Sequence, residues 1–209
     1  MTLDPATLGI PDDYPLVENL LTLLGVPAFA ANDAQAAAWG EYRLGAGRNE
    51  DMVFLTVSTG IGGGIVLNGR PLLGLAGHFG LLRGPSANQS TPFEDGVSGH
   101  WIAAEARAAG HDVDATGVFA AAVQGASWAE AILAGSAEKI ALLCADIQLA
   151  VDPKRIVMGG GIGLAPGYFE RVAASLMPLP SRLRPLLVPA ELGPRAGIVG
   201  IADLASSSS

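Results

Sequence analysis

The sequence predicts an α/β fold. Three observations carry that expectation: stretches with apolar residues at helical spacing alternate with short β-type runs, glycine turns follow those runs, and half of the 209 residues are hydrophobic. In chain order, residues 1–12 read as irregular. Leu16, Leu20, Leu21 and Leu24 recur at helical spacing from Pro15 and stop at Gly25. Val26 to Ala30 reads as a strand, and Asn32-Asp33 opens an alanine-rich helix, Ala34 to Leu44, closed by Gly45-Ala46-Gly47. Met52 to Thr56 is a β-run leading into Ser58-Thr59-Gly60 and Gly62-Gly63-Gly64. Ile65-Val66-Leu67 with Asn68-Gly69 reads as a strand entering a hairpin turn. Residues 74–98 are loop-rich, and Gly99 to Ala109 is helical. A long helix spans Ser127 to Val151, with Ile132, Ile140, Leu143, Ile147 and Leu149 as expected core positions, and Asp152-Pro153 breaks it. Ile156-Val157-Met158 is a buried strand ending in Gly159-Gly160-Gly161. Helices over Pro166 to Leu176 and Ala196 to Ala205 follow, and Ser206 to Ser209 reads as a disordered tail.

Bulk properties exclude several classes. The net charge is −8 with no cluster of Lys or Arg, which argues against a phosphate-tracking nucleic-acid surface. The single Cys144 rules out an intrachain disulfide or a cysteine-based metal cage, and its apolar surroundings read as core. No segment has the length of a membrane-spanning helix, and the start does not read as a signal peptide, so a cytoplasmic protein is expected.

Three motifs bear on chemistry. Asn32-Asp33 is either a helix N-cap or a carboxylate at the C-terminal end of a strand, placed to take a proton from an attacking hydroxyl. Ser58 through Gly64 has the composition of an anion-binding turn, but it is not a P-loop, because no Gly-Lys-Ser/Thr follows. Gly159-Gly160-Gly161-Ile162-Gly163 lies between a strand and a helix, where it is either a packing turn or a surface against which an adenosine lies. His78, Glu94, His100 and His111 carry no pattern on their own.

Taken together, NDAQAAAWGE (32–41), DMVFLTVSTGIGGGIV (51–66) and IVMGGGIG (156–163) resemble the ROK family (repressors, open reading frames and sugar kinases), over about Leu3 to Leu204. Within that family the chain is similar to the bacterial N-acetylmannosamine kinases, including Gly74 to Gly80 with histidine at position 78. The resemblance implies the large lobe of an actin-like ATPase, or hexokinase-type (ribonuclease H-like), fold with a remnant of the small lobe. It implies a division into residues 1–45 (small-lobe remnant with the catalytic segment), 46–195 (large lobe), 196–205 (return helix) and 206–209 (tail). It further implies transfer of a phosphoryl group from ATP, with Mg²⁺, to the 6-hydroxyl of N-acetylmannosamine, a step of sialic acid catabolism. In that implied site Asp33 is the base. Asn32, His78 and Glu94 line the sugar, Ser58, Thr59 and Gly60 face the phosphates, and Gly160 and Gly161 lie on the nucleotide side. A homodimer is implied, with neither nucleic acid nor membrane as partner.

Two departures qualify the resemblance. The family opens with an Asp-x-Gly-x-Thr hairpin, and this chain is expected to begin after it. The chain is then either a kinase, as a fragment of a longer active chain or a natural short form, or a catalytically silent sugar-binding or dimerising module, and by itself it is expected to be a poor kinase or none; a repressor is disfavoured by the absence of an upstream helix-turn-helix and of a basic patch. The family also carries a zinc-binding histidine and cysteine cluster. Here Leu81 stands at the histidine position and 84–93 has no cysteine, so no zinc is expected. Elemental analysis of purified protein is expected to find no zinc, and a stoichiometric amount that survives dialysis would overturn this.

Overall fold

The computed structural model describes residues 14–83 and 91–207, together with Gly9 and Pro11. Its centre is a five-stranded mixed sheet. β1 (Met52–Val57) pairs antiparallel with β2 (Ile61–Leu67), which pairs antiparallel with β3 (Arg70–Leu72). On its other side β1 pairs parallel with β4 (Arg155–Gly159), and β4 pairs parallel with β5 (Leu187–Pro189), giving the order β3-β2-β1-β4-β5.

Alternation along β1 explains the two layers around the sheet. Val53, Leu55 and Val57 point into one core with Ile156 and Met158. That core is covered by α3 (Gly99–Ala108), α4 (Ala115–Val123), α5 (Ser127–Val151) and α6 (Tyr168–Leu176), which supply Ile102, Val118, Ile140 and Val172 among others. Met52 and Phe54 point the other way, with Val66 and Val157, against α2 (Asp33–Leu44) and α7 (Ala196–Ser207). Remaining at the surface, α1 (Leu16–Leu24) buries none of its residues.

Buried polar groups tie the layers together. Ser136 on α5 donates to the Val97 carbonyl at 2.8 Å, and its oxygen lies 2.6 Å from the Tyr168 hydroxyl. A serine has one hydroxyl hydrogen, so Tyr168 is the donor to Ser136. Burial raises the pKa of Tyr168, which keeps that proton in place. Burial also pushes the Cys144 thiol up to about 12, as fits an inert core residue. Glu41, fully buried, accepts from the backbone N–H groups of Ala46 at 2.9 Å, Glu191 at 3.1 Å and Leu192 at 2.7 Å.

Several expectations are corrected. Val26 to Ala30 is not a strand: an apolar run forms one only with a partner ladder, no described strand pairs with it, and Val26 is 53% exposed. Gly62, Gly63 and Gly64 belong to β2 rather than to a turn, for the packing reason given below. Leu149 is 66% exposed. It lies two residues past buried Ile147, about 200° around the helix. Ser206 and Ser207 continue α7, while Ser208 and Ser209 lie outside the described residues. The helix after β4 starts at Tyr168 rather than Pro166. α4 and β5 were not anticipated; β5 is a three-residue edge strand containing a proline, too short for a periodicity signal.

Among the described residues no helix is long and apolar enough to cross a membrane, and no group of three or more His, Cys, Asp or Glu could hold a metal ion. Positions 84–90 of the cysteine-free stretch lie outside the described residues.

Two helix glycines give opposite expectations. A Cβ on Gly200 of α7 would overlap the Ala36 carbonyl of α2 and stand 2.8 Å from the Gly40 nitrogen, whereas one on Gly135 of α5 would meet only Trp101, at 3.9 Å. Gly200→Ala is therefore expected to lower unfolding free energy by ~1–3 kcal/mol through overpacking. Gly135→Ala is expected to raise it by ~0.5–1 kcal/mol through helix propensity. Denaturant titration of both variants checks the two signs.

Candidate functional site

Two turns meet at the C-terminal ends of the parallel pair β1 and β4, where open α/β sheets place their ligands. Ser58-Thr59-Gly60 follows β1, and Ser58 N–H donates to the Gly60 carbonyl at 2.9 Å. The turn after β4 is locked onto it: Ile162 and Gly163 both donate to the Val57 carbonyl at 3.0 Å. Gly160 has φ +89, and a Cβ there would overlap the Val57 carbonyl, so only glycine fits this crossing. Gly161 is exposed beside it, with open space where a side chain would stand.

The first turn is also fastened to α3. Gly99 N–H donates to the Ser58 carbonyl at 2.8 Å, and His100 N–H to the Thr59 carbonyl at 3.4 Å, while Ser98 caps the helix by accepting from Trp101 N–H. Immediately before that cap, a 3₁₀ turn over Phe93–Gly96 carries Glu94. Its Oε2 accepts from Ile61 N–H at 3.1 Å. A Cβ on Gly60 or Gly80 would come within 2.7 or 2.8 Å of the same oxygen, so the carboxylate sits in a slot between two glycines. A cavity of about 590 Å³ opens here, with Thr59, Gly60, Glu94, Asp95, Ser98 and Trp101 in its lining.

α2 delivers Asn32 and Asp33. Asn32 is the N-cap, its Oδ1 accepting from Ala34 N–H at 3.0 Å and Gln35 N–H at 3.1 Å. Asp33 is the first helical residue, exposed, with Oδ1 accepting from Ala34 N–H at 2.8 Å. Because Asn32 holds the cap, Asp33 is not needed for it, and a carboxylate at this end is favoured by the helix dipole. The next residue, Ala34, packs over Gly62 of β2, two positions beyond the phosphate-type turn.

His78 is placed elsewhere. Its Nδ1 lies 3.1 Å from the Leu75 carbonyl, and its ring lines a separate cavity of about 250 Å³ beside Leu143 and Ile147 of α5. The structure thus brings Thr59, Gly60 and Glu94 together around one cavity, sets Asn32 and Asp33 at the neighbouring helix end, packs Gly160 against the end of β1, and leaves His78 on a different wall.

Sequence reasoning gave no role to Gln35, although it builds this region. It is buried, and its Nε2 donates to the carbonyls of Gly74 at 2.9 Å and Ala76 at 2.8 Å, which fixes the segment leading to His78. A side chain that satisfies carbonyls about forty residues away leaves no local pattern. Trp101 and Asp95 were missed as well; Trp101 stands three residues after the Ser98 cap, a position that by itself indicates only the first helical turn.

Comparison with known proteins bears on this geometry. The ROK family profile matches residues 2–208. The bifunctional enzyme NanE/NanK of Brucella melitensis is 49% identical over 211 residues, which cover 99% of this chain but only 40% of that protein. The N-acetylmannosamine kinase of Salmonella arizonae is 41% identical over 214 residues, 98% of this chain and 74% of that one. Among solved structures, a ROK hexokinase from Thermus thermophilus superposes with a TM-score of 0.83 at 33% identity, covering 96% of this chain and 74% of that one. The fold is that of the actin-like ATPases, in the form seen in ROK hexokinases. The chain belongs to the ROK family.

Gln35→Ala is expected to cost ~1–2 kcal/mol of stability, since two carbonyls lose their partner. Amide hydrogen exchange should quicken over residues 74–78 and stay unchanged in α5 and α6, which locates the effect.

Proposed function

We propose that the protein is an ATP-dependent sugar kinase that phosphorylates the 6-hydroxyl of N-acetylmannosamine. The observation that carries the reading is an exposed carboxylate, Asp33, at a helix end whose next residue packs over Gly62 of β2, together with a second carboxylate, Glu94, anchored on the first residue of that strand. The names of the relatives support the substrate.

In this reading Asp33 accepts the proton of the 6-hydroxyl as its oxygen attacks the γ-phosphorus of ATP. The new O–P bond forms while the bond to the β-phosphate oxygen breaks, leaving ADP and the sugar 6-phosphate. Asn32 and Glu94 hold sugar hydroxyls. Glu94 can accept from them through the carboxylate capacity left by Ile61 N–H. His78 lines a different cavity from Glu94, and its contact with the sugar rests on the family resemblance alone. Ser58, Thr59 and Gly60 face the phosphates, and Gly160 and Gly161 offer bare backbone to the nucleoside. Mg²⁺ would neutralise charge on the ATP phosphates. The described residues provide no carboxylate cluster to hold it, so no step is assigned to it here.

The proposal extends to the setting: a cytoplasmic homodimer without zinc, in which α1 and the segment up to residue 45 form part of a smaller lobe, 46–195 the larger one, and 196–205 the return helix. The alternative is a catalytically silent sugar-binding or dimerising module. An ADP-release assay with ATP, Mg²⁺ and N-acetylmannosamine separates the two, since a silent module gives no sugar-dependent ADP.

Asp33→Asn removes the base while keeping size, and the cap stays with Asn32. Made in a chain with the small lobe restored, its kcat is expected to fall at least ~100-fold with a nearly unchanged Tm. A variant that keeps most of its kcat would show Asp33 to be structural.

A further inference from the structure

The cavity beside the β1–β2 turn holds a feature that phosphoryl transfer does not require: a tryptophan wall. Trp101 stands in the first turn of α3, and its ring is braced from behind by α5. There the Lys139 ammonium lies 4.2 Å from the ring centroid and donates to the Gly96 carbonyl at 2.9 Å. Trp101 is only partly buried, and its indole N–H makes no hydrogen bond among the described residues. The exposed methyl of Ala104, one residue-turn along the same helix face, lines the cavity with it.

The rest of the lining selects a ligand class. It contains two carboxylates, Glu94 and Asp95, the Ser98 hydroxyl and His100, and neither lysine nor arginine. A neutral ligand rich in hydroxyls suits the carboxylates, which accept hydrogen bonds. The apolar wall with a spare donor suits a small acylamino group, whose methyl needs hydrophobic contact and whose oxygen needs an N–H. At about 590 Å³ the cavity lies within the ordinary range of ligand pockets, roughly 300–1,000 Å³.

We propose that Trp101 is a specificity-determining residue for the sugar. The indole and the Ala104 methyl receive the N-acyl group, the indole N–H serves its oxygen, and Glu94 and Asp95 take neighbouring hydroxyls. This rests on the sugar-kinase reading and adds the residue by which an N-acyl hexosamine is told from a plain hexose.

The test is calorimetric titration of the 209-residue chain with N-acetylmannosamine and, separately, with mannose, which has a hydroxyl in place of the acylamino group. The unmodified chain is expected to bind N-acetylmannosamine more tightly. Trp101→Ala should weaken N-acetylmannosamine roughly 10- to 200-fold and mannose by less than about threefold. Trp101→Phe keeps the wall without the donor and should fall between. Ala104→Phe, on an exposed helix position that leaves the core intact, should crowd out the acyl group and spare mannose. Equal losses for both sugars, or no loss for either in the Phe variants, would overturn the assignment of Trp101 while leaving the kinase reading in place. Absence of binding by the unmodified chain to both sugars would overturn the kinase reading and this assignment with it.

Discussion

The close approach of α2 to the sheet is the constraint on which the rest of the structure depends. The helix lies so near β2 that a Cβ on Gly64 would stand 2.6 Å from that of Ala38, and one on Gly62 would stand 3.3 Å from that of Ala34. On its other side α2 crosses α7 with Gly40 and Gly200 in mutual contact and Ala36 and Ala196 beside them. Backbone at van der Waals distance on both sides leaves the helix little freedom to slide or turn. Asn32 and Asp33 therefore project from a fixed point at one end of the sheet. A loop could present the same two side chains, but not with comparable definition.

Polar groups buried at the other end of α2 complete the fixation. Glu41 gathers N–H groups from the end of its own helix and from the segment after β5, and Trp39 donates to Asp203 of α7 at 2.7 Å. Charge-assisted bonds to backbone are stronger than neutral ones, and each leaves an unsatisfied partner if removed. On the opposite face, the Tyr168–Ser136–Val97 chain holds α6 and α5 against the 3₁₀ turn that carries Glu94 and leads into the α3 cap. The two halves of the site are thus anchored to different cores, α2 to one face and Glu94 to the other, and the β1–β2 turn is where they come together.

What was legible in the sequence was local in origin. α5 announces itself by length and by its stop at Asp152-Pro153; Asp152 does adopt the left-handed conformation, with φ +48. β1 and β4 are apolar runs too short for helices, and the order of motifs around them pointed to the family and to the fold. What was hidden depends on distant partners. Three consecutive glycines are poor strand formers, and they sit in β2 because neighbours far along the chain crowd both of its faces: Ala34 and Ala38 of α2 over Gly62 and Gly64, and Phe79 over Gly63. Val26 to Ala30 has the composition of a strand without a ladder to join. Gln35 and Glu41 could not be singled out, because the carbonyls that Gln35 serves are some forty residues away and two of the three N–H groups that Glu41 serves are about one hundred and fifty away. Asp33 was legible as a candidate, but which of the two residues occupies the cap position was not, since Asn and Asp cap about equally well and only geometry assigns it to Asn32.

The sheet ends on both sides in three-residue strands, each containing a proline: Pro71 in β3 and Pro189 in β5. Exposed sheet margins are where chains recruit one another into extended ladders, and brevity combined with a missing backbone donor discourages that. Growth by strand addition is blunted at both margins. Contacts with other molecules are left to the helical faces and the open cleft, so the protein can keep an apolar, glycine-rich interior without that interior seeding fibres.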